Sequence, residues 1–135
     1  MLKYNSIQVG DYVVASNQGD EVLGEVVRLN PYNKQVCIDT GPQNFWYDIS
    51  DIAPIALSES ALQEFKFHKQ VLSDGTVKYS KGAFRVLLPK ENDFSCMEIW
   101  YREEHRHITQ PIFVHELQNH FHEMTKVYLN DIPFD

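Results

Sequence analysis

The stretch FVHELQNHFHEMTKVY, residues 113–128, carries the clearest structural signal in this chain. Its large apolar side chains recur every three or four residues, which is the stripe of an α-helix that packs on a core. These side chains are Phe113, Leu117, Phe121, Met124 and Tyr128. Pro111 suits the start of a helix, because its missing N–H would have no helical partner there. The pattern predicts a closing amphipathic helix that covers a sheet.

The first 57 residues contain strand signals that alternate with turn residues. The predicted strands lie at residues 12–15, 21–29, 36–38 and 45–47, with a short edge strand at 52–55. Four or five short strands at this spacing favour a small closed or nearly closed β-barrel. Gly24, inside the second strand, predicts a bulge or a sharp bend. The runs Val9–Val13 and Gly24–Leu29 resemble the opening of SH3-like barrels.

The second half begins with a short predicted helix. Ser58 is suited to cap it, and Leu62 and Phe65 share one of its faces. Alternating strands follow at residues 77–79, 84–88 and 97–102, and the short loops between them favour an antiparallel sheet. We therefore predict an α+β protein with an SH3-like β-barrel over residues 1–57. An α+β segment over residues 58–135, with the antiparallel sheet and the C-terminal amphipathic helix, packs on it as one compact unit.

The chain has 135 residues and a formal net charge of −7, which disfavours binding to a nucleic-acid backbone. A local basic patch around Lys66, Lys69, Lys78 and Lys81 is the alternative to an ordinary solvated surface. Two cysteines without CxxC spacing predict free thiols in a reducing compartment. The sequence has neither a signal-peptide pattern nor an apolar run of about 20 residues, so we expect a cytoplasmic protein without a membrane partner.

Several short motifs resemble a family of small uncharacterised proteins found in prophages and other mobile elements of Bacteroidetes. The matching residues are Pro54–Ser58, then Leu62 and Phe65, and finally Val114-His115-Glu116-Leu117-Gln118-Asn119. The resemblance implies a β-rich start and a closing helix, and it implies no particular activity.

This chain also departs from the family pattern. His120, His122 and Glu123 stand where the family tends to be apolar, and Lys126 stands where a helix-ending glycine is usual. These departures predict that the closing helix continues towards Leu129 and carries a more polar face.

Five of the six histidines lie between residues 105 and 122, which raises the question of a metal site. No HExxH motif occurs, because His120 follows His115 by five positions and the motif requires four. Solvated or capping histidines are therefore favoured, with a metal site at His105, His107 and His115 as the alternative. The same cluster, among acidic residues, predicts a charge change near pH 6.

Two further groups of residues are candidates for binding. His115, Gln118 and Asn119 form a polar cluster on the closing helix, suited to an orienting hydrogen bond or to a ligand. In the strand Phe45-Trp46-Tyr47, alternation turns at least one aromatic outwards and packs the inward pair in the core. An outward Trp46 or Tyr47 offers a stacking platform or a peptide groove.

Nucleophilic catalysis has no support, since GxSxG, P-loop and GxGxxG motifs are absent. We therefore predict a non-enzymatic binding or adaptor protein of a mobile element, with no cofactor and with a protein partner or self-association. A metal-dependent enzyme that uses the His105–His122 cluster is one alternative, and a single-strand nucleic-acid binder is the other.

Overall fold

The computed structural model describes residues 2–131, and the last four residues of the predicted helix-ending tail lie outside this range. Ten strands and two α-helices are present in the described chain. The strands are β1 Tyr12–Asn17, β2 Asp20–Asn30, β3 Gln35–Asp39, β4 Asn44–Asp48, β5 Ile52–Ala53, β6 His68–Val71, β7 Val77–Lys81, β8 Phe84–Leu88, β9 Met97–Tyr101 and β10 Glu104–Ile108. The helices are α1 Glu59–Glu64 and α2 Val114–Thr125. The prediction of an α+β protein with antiparallel pairing is confirmed.

The first sheet has five antiparallel strands in the order β4-β3-β2-β1-β5. Its first hairpin turns through Gln18 and Gly19, whose positive φ angles of 52° and 88° suit a two-residue connection. Strands β4 and β5 form the two ends of the described series, and β5 has only two residues, both paired with β1. The sheet is therefore not a closed barrel, which was one of the two forms expected.

Gly24 is required by a close approach between β2 and β3. A Cβ atom at this position would lie 2.7 Å from the Asp39 carbonyl oxygen and would also overlap the Ile38 side chain. The predicted bulge lies further along β2, where the register with β3 shifts between Val26 and Arg28. The glycine thus serves the tight strand contact, and the bulge forms without it.

The second sheet is a meander in the order β10-β9-β8-β7-β6. Buried and half-buried residues alternate along β7 and β8, so one face of this sheet is covered and the other is more accessible. Helix α2 lies on the covered face, where the Phe121 ring packs edge-on against Phe84 of β8 at a centroid distance of 4.7 Å. Buried in this part of the chain are Leu62, Val77, Tyr79, Phe84, Val86, Leu88, Met97, Ile99, Leu117, Phe121 and Met124.

The predicted capping of the short helix α1 is confirmed. Ser58 Oγ accepts a hydrogen bond from the Ala61 backbone N–H at 3.2 Å, which satisfies a first-turn donor. Leu62 of the same helix is fully buried. Lys66, with a φ angle of 67°, follows the helix and turns the chain towards β6.

Helix α2 is shorter than expected at its C-terminal end. The chain leaves it at Lys126, which adopts a left-handed φ angle of 66° and donates from its N–H to the His122 carbonyl oxygen at 2.8 Å. The expected continuation to Leu129 is therefore wrong. The apolar stripe is also shorter than predicted, because Phe113 and Tyr128 are 40% and 46% exposed.

The chain divides into two compact units. The first unit runs to Ile55 and includes Phe113–His115, and the second comprises Ala56–Ile112 and the chain from Glu116 onward. The core of the first unit consists of Ile7, Val13, Ala15, Val26, Val36, Ile38 and Ile52. None of the described helices has the length and apolar character needed to cross a membrane.

Candidate functional site

The accessible face of the second sheet contains an open groove with a volume of about 410 Å³. We call this feature the sheet groove, and its lining residues are Lys78, Arg85, Leu87, Trp100, Arg102 and Glu103. Strand alternation places the first four on this face, since their neighbours along β7, β8 and β9 are buried. Arg102 and Glu103 come from the turn between β9 and β10, where Arg102 has a φ angle of 56°.

Trp100 is the centre of an aromatic and cationic row across three strands. It pairs with Arg85 of β8 on one side and with His105 of β10 on the other. The Arg85 guanidinium carbon lies 5.6 Å from the Trp100 ring centroid, and the His105 ring stacks on the indole at 4.3 Å. Because cross-strand neighbours hold Trp100 on both sides, the indole is fixed before any ligand arrives.

Three cations of the sheet groove have no carboxylate partner within the described part of the chain. Lys78, Arg85 and Arg102 form no ion pair there, although Glu103 also lines the groove. Two other cations of the second unit are paired: Lys69 bridges Glu59 and Glu91, and Arg106 pairs with Glu123. Uncompensated positive charge in a protein of net charge −7 marks a place where an anion is attracted.

The Arg85 side chain has one N–H group without a hydrogen-bond acceptor among the described residues. One terminal amino group of Arg85 donates to the Arg102 carbonyl oxygen at 2.8 Å, which fixes the guanidinium beside Trp100. Its Nε is buried and has no hydrogen-bond partner among the residues described. A buried donor without an acceptor costs about 1–3 kcal/mol, so an acceptor supplied by a ligand would be favoured here.

Two of the clustered histidines lie beside the sheet groove and share one carboxylate. His107 Nδ1 is hydrogen-bonded to Glu98, and His105 Nε2 lies 3.2 Å from the same carboxylate oxygen. The hydrogen bond from His107 lowers the pKa of Glu98, and the contact with His105 acts in the same direction. Glu98 therefore stays ionised and holds His105 against Trp100.

A third histidine belongs to a separate cluster on the covered side of the sheet. Arg106 of β10 donates to Glu123 Oε1 at 2.7 Å and lies 2.8 Å from His120 Nδ1. Burial lowers the pKa of His120, and the adjacent Arg106 lowers it further. The bond from Arg106 lowers the pKa of Glu123. This arrangement fastens α2 to β10.

The alternative metal site at His105, His107 and His115 has no ligand set in the described structure. Across residues 2–131, no group of three or more His, Cys, Asp or Glu side chains is arranged to hold a metal ion. His105 and His107 share Glu98, whereas the His115 ring lies parallel to Phe113 at 6.1 Å.

The predicted polar cluster on α2 is largely buried. His115 and Gln118 are 2% and 5% exposed, and Asn119 is half-buried. Side chains with so little accessible surface are in a position to orient the fold rather than to meet a ligand from solvent.

The aromatic run of β4 differs from the predicted arrangement. Phe45 and Trp46 are 45% and 46% exposed, and only Tyr47 packs against the core of the first unit. The expected inward pair is thus wrong, because Phe45 lies on an edge strand beyond the reach of the core.

The basic patch, the less favoured alternative to a solvated surface, is not formed by its four lysines. Lys81 is buried and donates to the Phe65 carbonyl oxygen at 2.7 Å, and Lys69 is held by Glu59 and Glu91. Only Lys78 lines the sheet groove. Arg85, Trp100 and Arg102 were not predicted from the sequence as site residues. The strand alternation already placed Arg85 and Trp100 opposite the buried residues, and the missing information was the register that brings them together.

Comparison with known proteins adds no relative: no protein-family model, no curated protein and no solved structure matches this chain.

Proposed function

We propose that this chain is a non-enzymatic binding protein that holds a small anion with a flat ring, such as a nucleotide, in the sheet groove. The observation that carries the proposal is a groove lined by a half-buried tryptophan and by three cations that have no carboxylate partner among residues 2–131, with Arg85 over the indole. Arginine donors match phosphate oxygens well, and a lysine adds a mobile positive charge. The edge of the Trp100 indole and Leu87 offer apolar contact for the ring.

The size of the site and the charge of the chain favour a compact ligand over a long polyanion. The groove volume of about 410 Å³ falls within the usual range for small-molecule sites, roughly 300–1,000 Å³. A long nucleic acid would extend past the three cations and meet the field of a protein with net charge −7. A single-strand nucleic-acid binder remains the second candidate, since arginine and tryptophan together also suit stacked bases.

For the fold, we propose that the first unit is an open member of the SH3-like class. A 3-10 turn at Ile49–Asp51 precedes β5, and β5 returns to pair with β1. This order of elements supports the likeness that the Val9–Val13 run suggests. The mobile-element origin and the cytoplasmic location stay predictions, and the neighbouring genes test the first of them.

The proposed site is tested by titrating a nucleoside 5′-monophosphate into the wild-type protein and into Arg85→Gln, with calorimetry as the readout. Loss of a hydrogen bond to a charged group is worth about 1.5–3 kcal/mol, so we expect affinity to fall about tenfold or more. Lys90→Gln, an exposed lysine of the same unit outside the groove, is the matched control and should bind normally.

Two outcomes count against the proposal. Equal affinity of Arg85→Gln and wild type for the monophosphate would show that the binding site does not involve the sheet groove. Absence of binding to wild type at low salt would contradict the proposal itself. A labelled single-stranded oligonucleotide of about 15 bases serves as the second arm. Much tighter binding of the oligonucleotide, with a steep dependence on salt, would favour the second candidate.

A further inference from the structure

Strand β4 is an open edge of the first sheet. It pairs with β3 along its whole length, from Asn44 opposite Asp39 to Asp48 opposite Gln35, without a register shift. No second strand of the described chain pairs with it. Proteins usually protect such an edge with a bulge, a proline or inward-pointing charge. Within β4, Phe45 and Trp46 instead present about half of their side chains to solvent.

The two exposed aromatics lie on opposite faces of β4. Phe45 is opposite the buried Ile38, and Trp46 is opposite Cys37, its neighbour on β3. An added strand would therefore find one aromatic contact on each face in addition to backbone hydrogen bonds. Alternating side chains of an added strand would meet these two surfaces in turn.

The charge around this edge identifies the kind of segment that fits. The chain up to Ile55 contains three basic and seven acidic residues, a formal excess of four negative charges. Asp48 is the last residue of β4, and Asp39 of the inner strand β3 lies opposite the first residue of β4, Asn44. Lys34, the nearest lysine in sequence, places its ammonium 5.1 Å from the centroid of the Tyr4 ring. The β4 edge is thus acidic at its Asp48 end and aromatic at Phe45 and Trp46, within a unit of negative formal charge.

We infer that the β4 edge binds an extended, basic segment of a protein partner by strand addition. The backbone of the segment supplies hydrogen bonds, its lysine or arginine side chains pair with Asp48, and its alkyl stems or cations contact Trp46 and Phe45. A second copy of this chain is a poorer occupant, because it brings the same excess of carboxylates. This inference is independent of the sheet groove, which lies in the other unit.

The test uses a peptide of about ten residues in which lysine and valine alternate, a length that spans the strand with some excess. We expect saturable binding to wild type and slower hydrogen exchange of the β4 amides in the complex. Trp46→Ser should weaken binding about tenfold or more, since a central aromatic commonly dominates such interfaces. Tyr32→Ser is the matched control, because Tyr32 is 94% exposed in the same unit and lies outside β4.

A charge variant and a charge-reversed peptide complete the experiment. Asp48→Asn should weaken binding about threefold at low salt and less at high salt, as expected for an exposed ion pair. Equal binding of a peptide that alternates glutamate and valine would overturn the basic specificity. Unchanged affinity of Trp46→Ser, or a concentration-dependent dimer that excludes the peptide, would overturn the assignment of the β4 edge.

Discussion

The two sheets of this protein have the same number of strands, the same antiparallel pairing and different accessible surfaces. In the second sheet, the regular alternation along β7 and β8 covers one face and leaves the other to carry Arg85 and Trp100. In the first sheet, the exposed aromatics lie on the edge strand β4, and the formal charge of the unit is negative. One sheet therefore presents a cationic face, and the other presents an acidic, aromatic edge.

This difference shows that secondary structure alone does not decide where a sheet can bind. In the second sheet, regular antiparallel pairing places outward side chains in rows, so cations from β7, β8 and the β9–β10 turn line one groove together with Trp100. In the first sheet, the terminal strand β4 pairs on one side only within residues 2–131, and Phe45 and Trp46 stay accessible. Each surface has a chemistry of its own, and a variant of one should leave the other intact.

The largest expected effect is on the free energy of unfolding, and it distinguishes a buried aromatic side chain of α2 from an exposed one just before the helix. Phe121→Ala removes a ring that is 2% exposed and packs on Phe84, so we expect a loss of about 3–5 kcal/mol in the free energy of unfolding. Phe113→Ala removes a ring that is 40% exposed, and its cost should stay below about 1 kcal/mol. Urea unfolding followed by circular dichroism measures both, and equal costs would contradict the packing described for this helix.

That contrast also shows how far the sequence predicted the structure. The periodicity from Leu117 to Met124 and the cap at Ser58 depend on neighbours along the chain, and both agree with the structure. The predicted end of α2 was wrong because Lys126 adopts a left-handed conformation that is more usual for glycine.

The sheet groove could not be predicted in the same way. It depends on the register that sets Arg85 beside Trp100 and on the β9–β10 turn that brings in Arg102. Strand alternation was enough to predict Trp46 as a candidate outward aromatic. The exposure of Phe45 could not be predicted in this way, because it depends on the position of β4 at the edge of the sheet.

A smaller effect tests the close approach that shapes the first sheet. Gly24→Ala places a methyl group against Ile38 and the Asp39 carbonyl oxygen, so β2 and β3 must shift apart. Overpacking of this kind costs about 1–3 kcal/mol in the free energy of unfolding. Val22→Ala, on the exposed part of the same strand, should cost less than about 0.5 kcal/mol. If both variants unfold at the same urea concentration, the tight contact at Gly24 is absent.

The smallest expected effect is a pH dependence that originates in the second unit. Burial and Arg106 lower the pKa of His120 in the folded protein, whereas the unfolded chain takes up its proton near the ordinary pKa of 6.5. Acid therefore favours the unfolded chain, and stability should fall as the pH drops below about 6.5. The lowered pKa of Glu123 acts only at more acidic pH, around and below its ordinary value of 4.5.

Thermal melts at about pH 7.5 and about pH 5.5 bracket the titration of histidine and measure this loss. His120→Gln should flatten the difference between the two melts, and Gln70→Ser, at an exposed position of β6 without a titratable side chain, should leave it unchanged. A wild-type melting temperature that is the same at both pH values would contradict the lowered pKa of His120.

The most direct test of the two-surface description uses the two tryptophans of the chain as separate reporters. Trp46 belongs to the β4 edge and Trp100 to the sheet groove, so the indole N–H signals in a ¹H–¹⁵N NMR spectrum distinguish the surfaces. A nucleoside 5′-monophosphate is expected to shift the Trp100 signal alone, and the alternating lysine–valine peptide is expected to shift the Trp46 signal alone. A monophosphate that leaves Trp100 unmoved at saturating concentration, or moves Trp46 in its place, would contradict the assignment of the sheet groove.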